Sequence, residues 1–108
     1  MFEIYRNDIS ITRGDSAIFE ITITDKDKNI YTPTSDDTVT FTVKENTRSN
    51  AIVFQKPVVN GKIVIDPKDT EDLRYGKYVY DVQLVTADGW VDTIITPHLF
   101  NVLGEVTF

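Results

Sequence analysis

The most regular alternation of apolar and polar side chains in this chain runs from Leu73 to Val85, with the sequence LRYGKYVYDVQLV. Successive residues of a β-strand face opposite sides of a sheet. One side of this segment therefore carries large apolar side chains: Tyr78, Tyr80, Val82 and Leu84. The other side carries Val79, Asp81, Gln83 and Val85. This period of two predicts a central strand with one fully buried face.

The composition narrows the fold class. The chain has 108 residues, which is enough for one hydrophobic core and too few for a deep cleft between subdomains. β-Branched and aromatic residues are common, whereas Ala and Leu are scarce, so the composition favours sheet over helix. We expect a single β-sandwich domain covering residues 1–108, and its small size makes an enzyme less expected.

Charge and cysteine content exclude several classes of partner. Seventeen acidic and eleven basic residues give a net charge of −6, and the basic residues are scattered, so we expect no nucleic-acid binding. The chain has no cysteine, and therefore neither a disulfide nor a thiolate metal site. We expect a soluble protein without a membrane partner, because no apolar run reaches membrane-spanning length. Residues 1–8 lack the pattern of a secretory signal.

Strands are also predicted in the first half of the chain. Residues 2–5 and 9–12 form two strand pieces separated by Asn7-Asp8, a typical place for a first strand to bend between sheets. Residues 17–24 alternate apolar and polar side chains, as do residues 39–43. Both segments are predicted to be half-buried strands.

Turn signals organise the middle of the chain. Asn60-Gly61 is the strongest two-residue hairpin signal and lies between the predicted strands 52–55 and 62–65. Pro57 cannot donate a ladder hydrogen bond, so the strand that carries it is expected to lie at a sheet edge or to be broken there. Asp66-Pro67 predicts the start of a helix of about one or two turns.

The end of the chain contains a second hairpin signal, Asp88-Gly89, which returns the chain as residues 90–95. Pro97 is predicted to end that strand. Residues 99–102 then begin the last strand, which is predicted to continue through Gly104 towards Phe108.

Together these signals predict an all-β fold, an immunoglobulin-like antiparallel β-sandwich of about seven to nine strands with one short helical turn. Leu73 and Gly76 precede Tyr78 in a way that resembles the tyrosine corner of such sandwiches, where the hydroxyl bonds to upstream backbone. The alternative is that Tyr78 is one more core aromatic. The expected core includes Phe19, Ile21, Phe41, Val43, Ile63, Tyr78, Tyr80, Val82, Leu84 and Phe100.

Two motifs resemble binding sites but have simpler structural explanations. Arg13-Gly14-Asp15 matches the integrin-binding tripeptide, yet a strand follows at once and Gly and Asp suit a turn. Asp25, Asp27 and Asn29 have the spacing of a calcium loop, but Ile30 occupies the position that requires Gly. We therefore predict solvated turns and no metal or cofactor.

Catalysis is not predicted for this chain. His98 is the sole histidine, and its neighbours Pro97 and Leu99 suggest the start of a strand rather than a presented base. No pair of carboxylates is marked for glycoside cleavage. We expect no catalytic residue.

Trp90 and Phe108 are the candidate contact residues. Trp90 follows the Asp88-Gly89 turn and is suited either to stacking on a sugar or, more commonly, to packing on a cross-strand neighbour. Residues 105–108 alternate up to Phe108, which needs burial. Val106 and Phe108 either complete the last strand within the domain, which we favour, or pair with a neighbouring subunit.

Several turn and strand motifs in both halves of the chain have spacings similar to those of a known family. In the closing half they are Gly76 to Leu84, Asp88-Gly89, Thr93-Ile94-Ile95, Phe100-Asn101-Val102 and Glu105-Val106-Thr107. This half resembles small immunoglobulin-like proteins of phage and prophage tail and baseplate modules. The opening, with Arg13-Gly14-Asp15 leading into Phe19 to Ile23 and later Asp37 to Val43, is similar to the start of the upper-baseplate protein N-terminal domain.

The resemblance implies a non-enzymatic virion structural protein of a tail or baseplate, made in the bacterial cytoplasm. Its implied partners are other virion structural proteins and further copies of itself, with no cofactor. The chain lacks the receptor-binding extension of larger baseplate proteins. The competing class is a cell-surface carbohydrate-binding or adhesin-type module, in which residues 45–50 and the Trp90 hairpin make contact.

Overall fold

A computed structural model describes residues 2–5, 8–23, 29–49 and 51–104, except for the side chains of residues 2–5 and 96. This part of the chain is all-β with one short helix, as predicted. Its elements are β1 (Phe2–Tyr5), β2 (Asp8–Thr12), β3 (Ala17–Glu20), β4 (Thr38–Lys44), β5 (Ile52–Pro57), β6 (Lys62–Ile65), α1 (Pro67–Thr70), β7 (Gly76–Val85) and β8 (Val91–Leu103).

The strands form two sheets. Six of them form a sheet in the order β1-β2-β8-β7-β4-β5, and β3 and β6 form a second sheet of two strands. β7 therefore lies inside the larger sheet, which confirms the predicted central strand. Its four alternating apolar side chains are buried, as the period of two requires: Tyr78, Tyr80, Val82 and Leu84.

The inner faces of the two sheets share one core. Phe41 has no exposed surface and lies at the centre of the aromatic residues. Ring centroids around it lie at 5.1 Å for Tyr80, 5.7 Å for Phe19, 6.0 Å for Phe100 and 6.1 Å for Phe54. The predicted core residues are all buried except Ile21, which is partly buried and packs against the core.

The start of the chain differs from the prediction in two ways. β1 pairs antiparallel with β2, so the two strand pieces lie in one sheet and not in different sheets. β2 then pairs parallel with β8, so the sheet is mixed rather than antiparallel. This pairing places Ile9 beside Phe100 and Ile11 beside Val102, and all four side chains face the core.

Pro97 does not end a strand, contrary to the prediction. β8 runs without interruption from Val91 to Leu103. Its register with β7 shifts between Tyr80 and Val82 and again between Val82 and Gln83. Such bulges tolerate a residue without a backbone N–H. Proline is therefore accommodated inside a strand that sequence alone divides in two.

The Asn60-Gly61 turn forms, with φ angles of 54° and 74°. However, the two strands that it joins lie in different sheets, since β5 pairs with β4 and β6 pairs with β3. Only the bridge between Val59 and Lys62 closes the turn. The turn is therefore a corner between sheets. β5 is an edge strand, which confirms the prediction from Pro57.

The helix begins as predicted, with Asp66 at the cap and Pro67 at the first helical position. The backbone N–H of Asp66 donates to Asp69 Oδ2 at 2.8 Å, and Lys56 Nζ lies 2.8 Å from the same oxygen. The buried Thr70 Oγ1 accepts the N–H of Gly14 at 2.9 Å. This last bond ties the helix to the turn between β2 and β3.

Tyr78 makes the backbone hydrogen bond expected of a tyrosine corner. Its hydroxyl donates to the carbonyl oxygen of Arg74 at 2.9 Å. Leu73 packs against the core. Gly76 has a φ of 143°, which L-residues with a side chain rarely adopt, so glycine suits this entry into β7.

Replacing Tyr78 with phenylalanine is expected to lower the free energy of unfolding by about 1 to 2 kcal/mol, because the Arg74 carbonyl loses its donor in a partly buried place. Urea denaturation measures this loss. Tyr75→Phe is the matched control, since Tyr75 is 53% exposed. Equal stability of the Tyr78→Phe variant and the wild type would show that the hydroxyl bond contributes nothing.

Candidate interaction surface

One end of the molecule collects three connections, because β3, β5 and β7 end there and β4, β6 and β8 begin there. The described parts of these connections are residues 21–23, 29–37, 58–61 and 86–90. We call residues 29–37, 58–61 and 86–90 the loop end. The N–H of Val58 donates to the Val39 carbonyl at 2.9 Å, and the N–H of Ile21 donates to the Gly61 carbonyl at 2.7 Å. These bonds hold the loop end against both sheets.

Asp37 organises the first connection. Its Oδ2 accepts the Tyr31 hydroxyl at 2.5 Å and the N–H of Thr34 at 3.0 Å. The Tyr31 hydrogen bond, followed by the Thr34 N–H, lowers the pKa of the Asp37 carboxyl below its ordinary value. The same hydrogen bond raises the pKa of Tyr31. The ionised carboxylate is therefore part of the loop structure.

Asp88 organises the hairpin between β7 and β8 in a similar way. Its Oδ1 accepts the Thr86 hydroxyl and, at 3.5 Å, the N–H of Trp90. The Thr86 bond is the main cause of the lowered pKa of Asp88. The N–H of Thr86 donates to the Trp90 carbonyl at 2.9 Å, which closes the predicted Asp88-Gly89 hairpin.

Trp90 is 69% exposed, so most of its side chain is open to solvent. The side chain stands at the tip of a hairpin, where the strands no longer present a face to cover it. Val91 beside it is 57% exposed and Ile30, in the first connection, is 74% exposed. The loop end therefore presents separate large apolar side chains to solvent.

The loop end is also acidic. The chain has no Lys or Arg in residues 29–37 or 86–98, whereas these segments contain Asp36, Asp37, Asp88 and Asp92. The charge of Asp88 acts on Asp37, where it opposes ionisation. Much of the net negative charge is therefore placed at one end of the described structure.

An open groove lies between the two sheets beside the loop end. One wall is the continuation of β3, residues 20–23, and the other is the start of β8, residues 92–95. Its volume is about 590 Å³. Apolar side chains lie along it, namely Ile21, Ile23, Leu84, Ile94 and Ile95. We call this feature the edge groove.

Two exposed apolar side chains face each other on the outside of the small sheet. Ile18 of β3 pairs in register with Val64 of β6, and the two side chains are 58% and 46% exposed. Next to them Glu20 pairs with Lys62, whose side chains are 3.9 Å apart and exposed. Outward positions of a half-solvated sheet are normally polar, so this apolar pair is a candidate contact surface.

The remaining predicted candidates lie elsewhere. Arg13 donates to the Leu73 carbonyl at 3.3 Å and its guanidinium lies 4.4 Å from the Tyr75 ring centroid, so the Arg13-Gly14-Asp15 triplet is a packed turn. His98 lies within β8 opposite Tyr80 and not at a strand start. Phe108 lies outside the described residues.

The calcium-like spacing falls partly outside the described structure, since Asp25 and Asp27 belong to residues 24–28. Within the described ranges, no three His, Asp or Glu side chains lie close enough together to hold a metal ion. No helix in those ranges is long and apolar enough to cross a membrane.

The edge groove was missed from sequence. The signal for it is the alternation that runs on past Glu20, where Ile21 and Ile23 continue the inward positions of β3. Sequence predicts that these side chains face inward. Sequence could not show that the sheet edge beside them is left uncovered by the described strands.

Comparisons with protein-family models, with curated proteins and with solved structures found no match. Functional proposals for this chain therefore rest on its residues and their geometry.

The Asp37 contacts predict a pH dependence at the loop end. A lowered folded pKa means that the carboxylate stabilises the fold fully above the ordinary Asp value of 3.8 and that this stabilisation is lost as pH falls through the folded pKa. Asp37→Asn should therefore lower Tm at pH 7, and the difference from wild type should shrink below pH 3.8. Thermal melts across this range measure it.

Asp36→Asn provides the control, because Asp36 is an exposed neighbour of the same charge. Its Tm difference from wild type is expected to stay small at every pH. Equal pH profiles for the Asp36 and Asp37 variants would contradict the assigned role of Asp37.

Proposed function

We propose that this chain is an immunoglobulin-like β-sandwich that serves as a non-enzymatic structural component of a phage or prophage tail or baseplate and acts through protein–protein assembly. The fold part of the proposal is supported by two sheets around one core and by the Tyr78 hydroxyl bond to Arg74. The phage assignment is supported by the turn and strand motifs described from sequence.

The observation that carries the assembly function is the apolar pair Ile18 and Val64 on the outer face of the small sheet. Burial of such a pair at a contact between copies gains hydrophobic free energy that solvent exposure does not provide. Lysine and arginine side chains protect a sheet face from association. On the described outer face of the small sheet, the basic residue is Lys62, which lies next to the pair.

Light scattering and electron microscopy of the purified protein at high concentration test the proposal. We expect closed oligomers such as rings or trimers. Val64→Lys should shift the population towards monomer, because a charge would be buried at the contact. Ile52→Lys is the matched control, since Ile52 is 51% exposed on β5 in the other sheet. A protein that stays monomeric at every concentration would contradict self-assembly.

The second candidate function is a carbohydrate-binding or adhesin-type module, and the exposure of Trp90 favours it. An indole that is 69% exposed at a hairpin tip is available for stacking on a sugar ring. A glycan array with the wild type and Trp90→Ala tests it. Tyr75→Ala is the control, because Tyr75 is an exposed aromatic residue outside the loop end. Glycan binding that only Trp90→Ala abolishes would replace the structural proposal.

A further inference from the structure

We propose that the edge groove accepts one strand of a partner polypeptide, an extended segment in which apolar side chains alternate with Lys or Arg. That the partner is a polypeptide rests on the assembly function proposed above. The chemistry of the segment follows from three features of the groove: an open backbone edge, apolar side chains along its length and an acidic rim.

The open edge belongs to β3 and its continuation. The N–H of Ile21 donates to Gly61 and the carbonyl of Ile23 accepts the N–H of Tyr31. Because backbone groups alternate in direction along a strand, those of Ile18, Glu20 and Thr22 point away from β6. Within the described residues, β3 pairs with β6 alone. These outward groups can therefore form a new ladder with an added strand.

This edge lacks the devices that protect other edges of the fold. β5 carries Pro57 at its end and a register shift against β4. The part of β8 that precedes its pairing with β2 carries Pro97 and two register shifts against β7. Residues 16–23 contain no Pro, Gly or Lys. Proline, bulges and lysine discourage strand addition, so the β3 edge is better suited to accept a strand than β5 or the part of β8 that precedes its pairing with β2.

The groove suits alternate side chains of such a strand. Side chains on its inner face would lie between Ile21 and Ile23 on one wall and Ile94 and Ile95 on the other. Leu84 lies below them and is 7% exposed. Burial of apolar side chains here would extend the core that both sheets share, which requires apolar residues at every second position of the partner.

The rim selects basic residues at the intervening positions. The Glu20 side chain is 73% exposed and lies on the outer side of β3, beside the open edge. Asp92 lines the opposite wall, and Asp37 and Asp88 lie at the adjacent loop end. The exposed contact of Lys62 with Glu20 at 3.9 Å neutralises little of this charge. Lys or Arg next to Glu20 gives charge complementarity, whereas Asp or Glu would be repelled.

The alternating segment at residues 105–108 does not have the sequence pattern proposed for the occupant. Its apolar residues are Val106 and Phe108, but the residue before Val106 is the acidic Glu105. The segment contains no basic residue. Residues 24–28 have two lysines but no apolar side chain. The occupant we propose is therefore a different polypeptide.

The test uses a fluorescent nine-residue peptide of alternating lysine and isoleucine, measured by fluorescence anisotropy with the whole protein. Two control peptides are a scrambled one of the same composition and one with glutamate in place of lysine. We expect the alternating lysine peptide to bind at least about tenfold more tightly than either control. In NMR spectra its binding should shift the amides of residues 18–23 and 92–95.

Two protein variants locate the site. Glu20→Lys should weaken binding of the lysine peptide by about tenfold and strengthen binding of the glutamate peptide. Glu45→Lys is the matched control, because Glu45 is an exposed carboxylate in the connection between β4 and β5, at the other end of these strands. It should leave both affinities nearly unchanged.

Equal affinity for the alternating and scrambled peptides, equal effects of the two variants, or amide shifts away from residues 18–23 would each overturn the groove assignment. The result is independent of self-assembly. If the protein forms rings but shows no selective peptide binding, the proposed structural function is supported and the groove assignment is rejected. If the protein is monomeric but binds the alternating peptide at Glu20, the groove assignment is supported and self-assembly is rejected.

Discussion

Replacing Phe41 with alanine is expected to lower the free energy of unfolding by about 3 to 5 kcal/mol, the range observed for large-to-small aromatic substitutions in cores. Phe41 has no exposed surface, and its ring lies near the rings of Phe19, Phe54, Tyr80 and Phe100. Contacts with four rings from both sheets would be lost at once. Urea denaturation followed by circular dichroism measures the change.

The size of this loss matters because a domain is stabilised by only about 5 to 15 kcal/mol in total. Phe41→Ala is therefore expected to bring the protein close to unfolding at room temperature. Phe41→Leu should recover more than half of the loss, since it refills most of the cavity. Trp90→Ala, at an exposed aromatic, is the control and should cost less than about 0.5 kcal/mol. A cost for Phe41→Ala below that of Trp90→Ala would place the centre of the core elsewhere.

Replacing Gly61 with alanine is expected to cost about 2 to 4 kcal/mol. Two effects add at this position. Its φ of 74° lies in the left-handed region, which costs an L-residue roughly 1 to 2 kcal/mol. A Cβ would also lie 2.9 Å from the Ile21 carbonyl oxygen, which is backbone and must move. That displacement would disturb the hydrogen bond from the Ile21 N–H to Gly61.

Gly89→Ala separates the two effects. Gly89 has a similar φ of 87°, but a Cβ there would meet no atom within 4 Å. It should therefore show the conformational cost alone, about 1 to 2 kcal/mol. Chemical denaturation of both variants gives the comparison. If Gly61→Ala costs no more than Gly89→Ala, the close approach to Ile21 is not a constraint on the fold.

Gly61→Ala is also expected to affect the proposed peptide binding, because Ile21 lies between the Asn60-Gly61 corner and the edge groove. A shift of the Ile21 backbone would move one wall of the groove. We expect Gly61→Ala to weaken binding of the alternating lysine peptide, and Gly89→Ala to change it less. The loop end and the edge groove share Tyr31 and Thr86, whereas Trp90 is absent from the groove walls.

Local pattern was sufficient where neighbouring residues settle the conformation. The alternation from Gly76 to Val85 predicts β7 and its buried face, because side-chain direction along a strand depends only on position. Asp66-Pro67 predicts the helix start, since a cap and a fixed φ act within one turn. The Tyr78 hydroxyl bond is similarly local, spanning four residues to Arg74.

Phe100 and Val102 show the limit of what local sequence pattern predicts. Their apolar side chains predict a buried strand, but nothing near them in sequence indicates a parallel neighbour from residues 9–12. Pairing is decided by which distant strands cover the same core, and that choice depends on the whole chain. For the same reason the antiparallel expectation was wrong, although the strands themselves were predicted.

The sequence by itself determined where most strands of this protein lie, which of their faces are apolar, and where the main turns occur, because these properties depend on residues a few positions apart. It did not predict that Pro97 lies inside β8. Only the tertiary structure decided that Asn60-Gly61 is a corner between sheets, that Trp90 is exposed and that, among the described residues, β3 pairs with β6 alone. Each of these depends on what lies beside a residue in space. The candidate contact surfaces are therefore products of long-range packing, since an edge is open only when no distant strand has taken its hydrogen bonds.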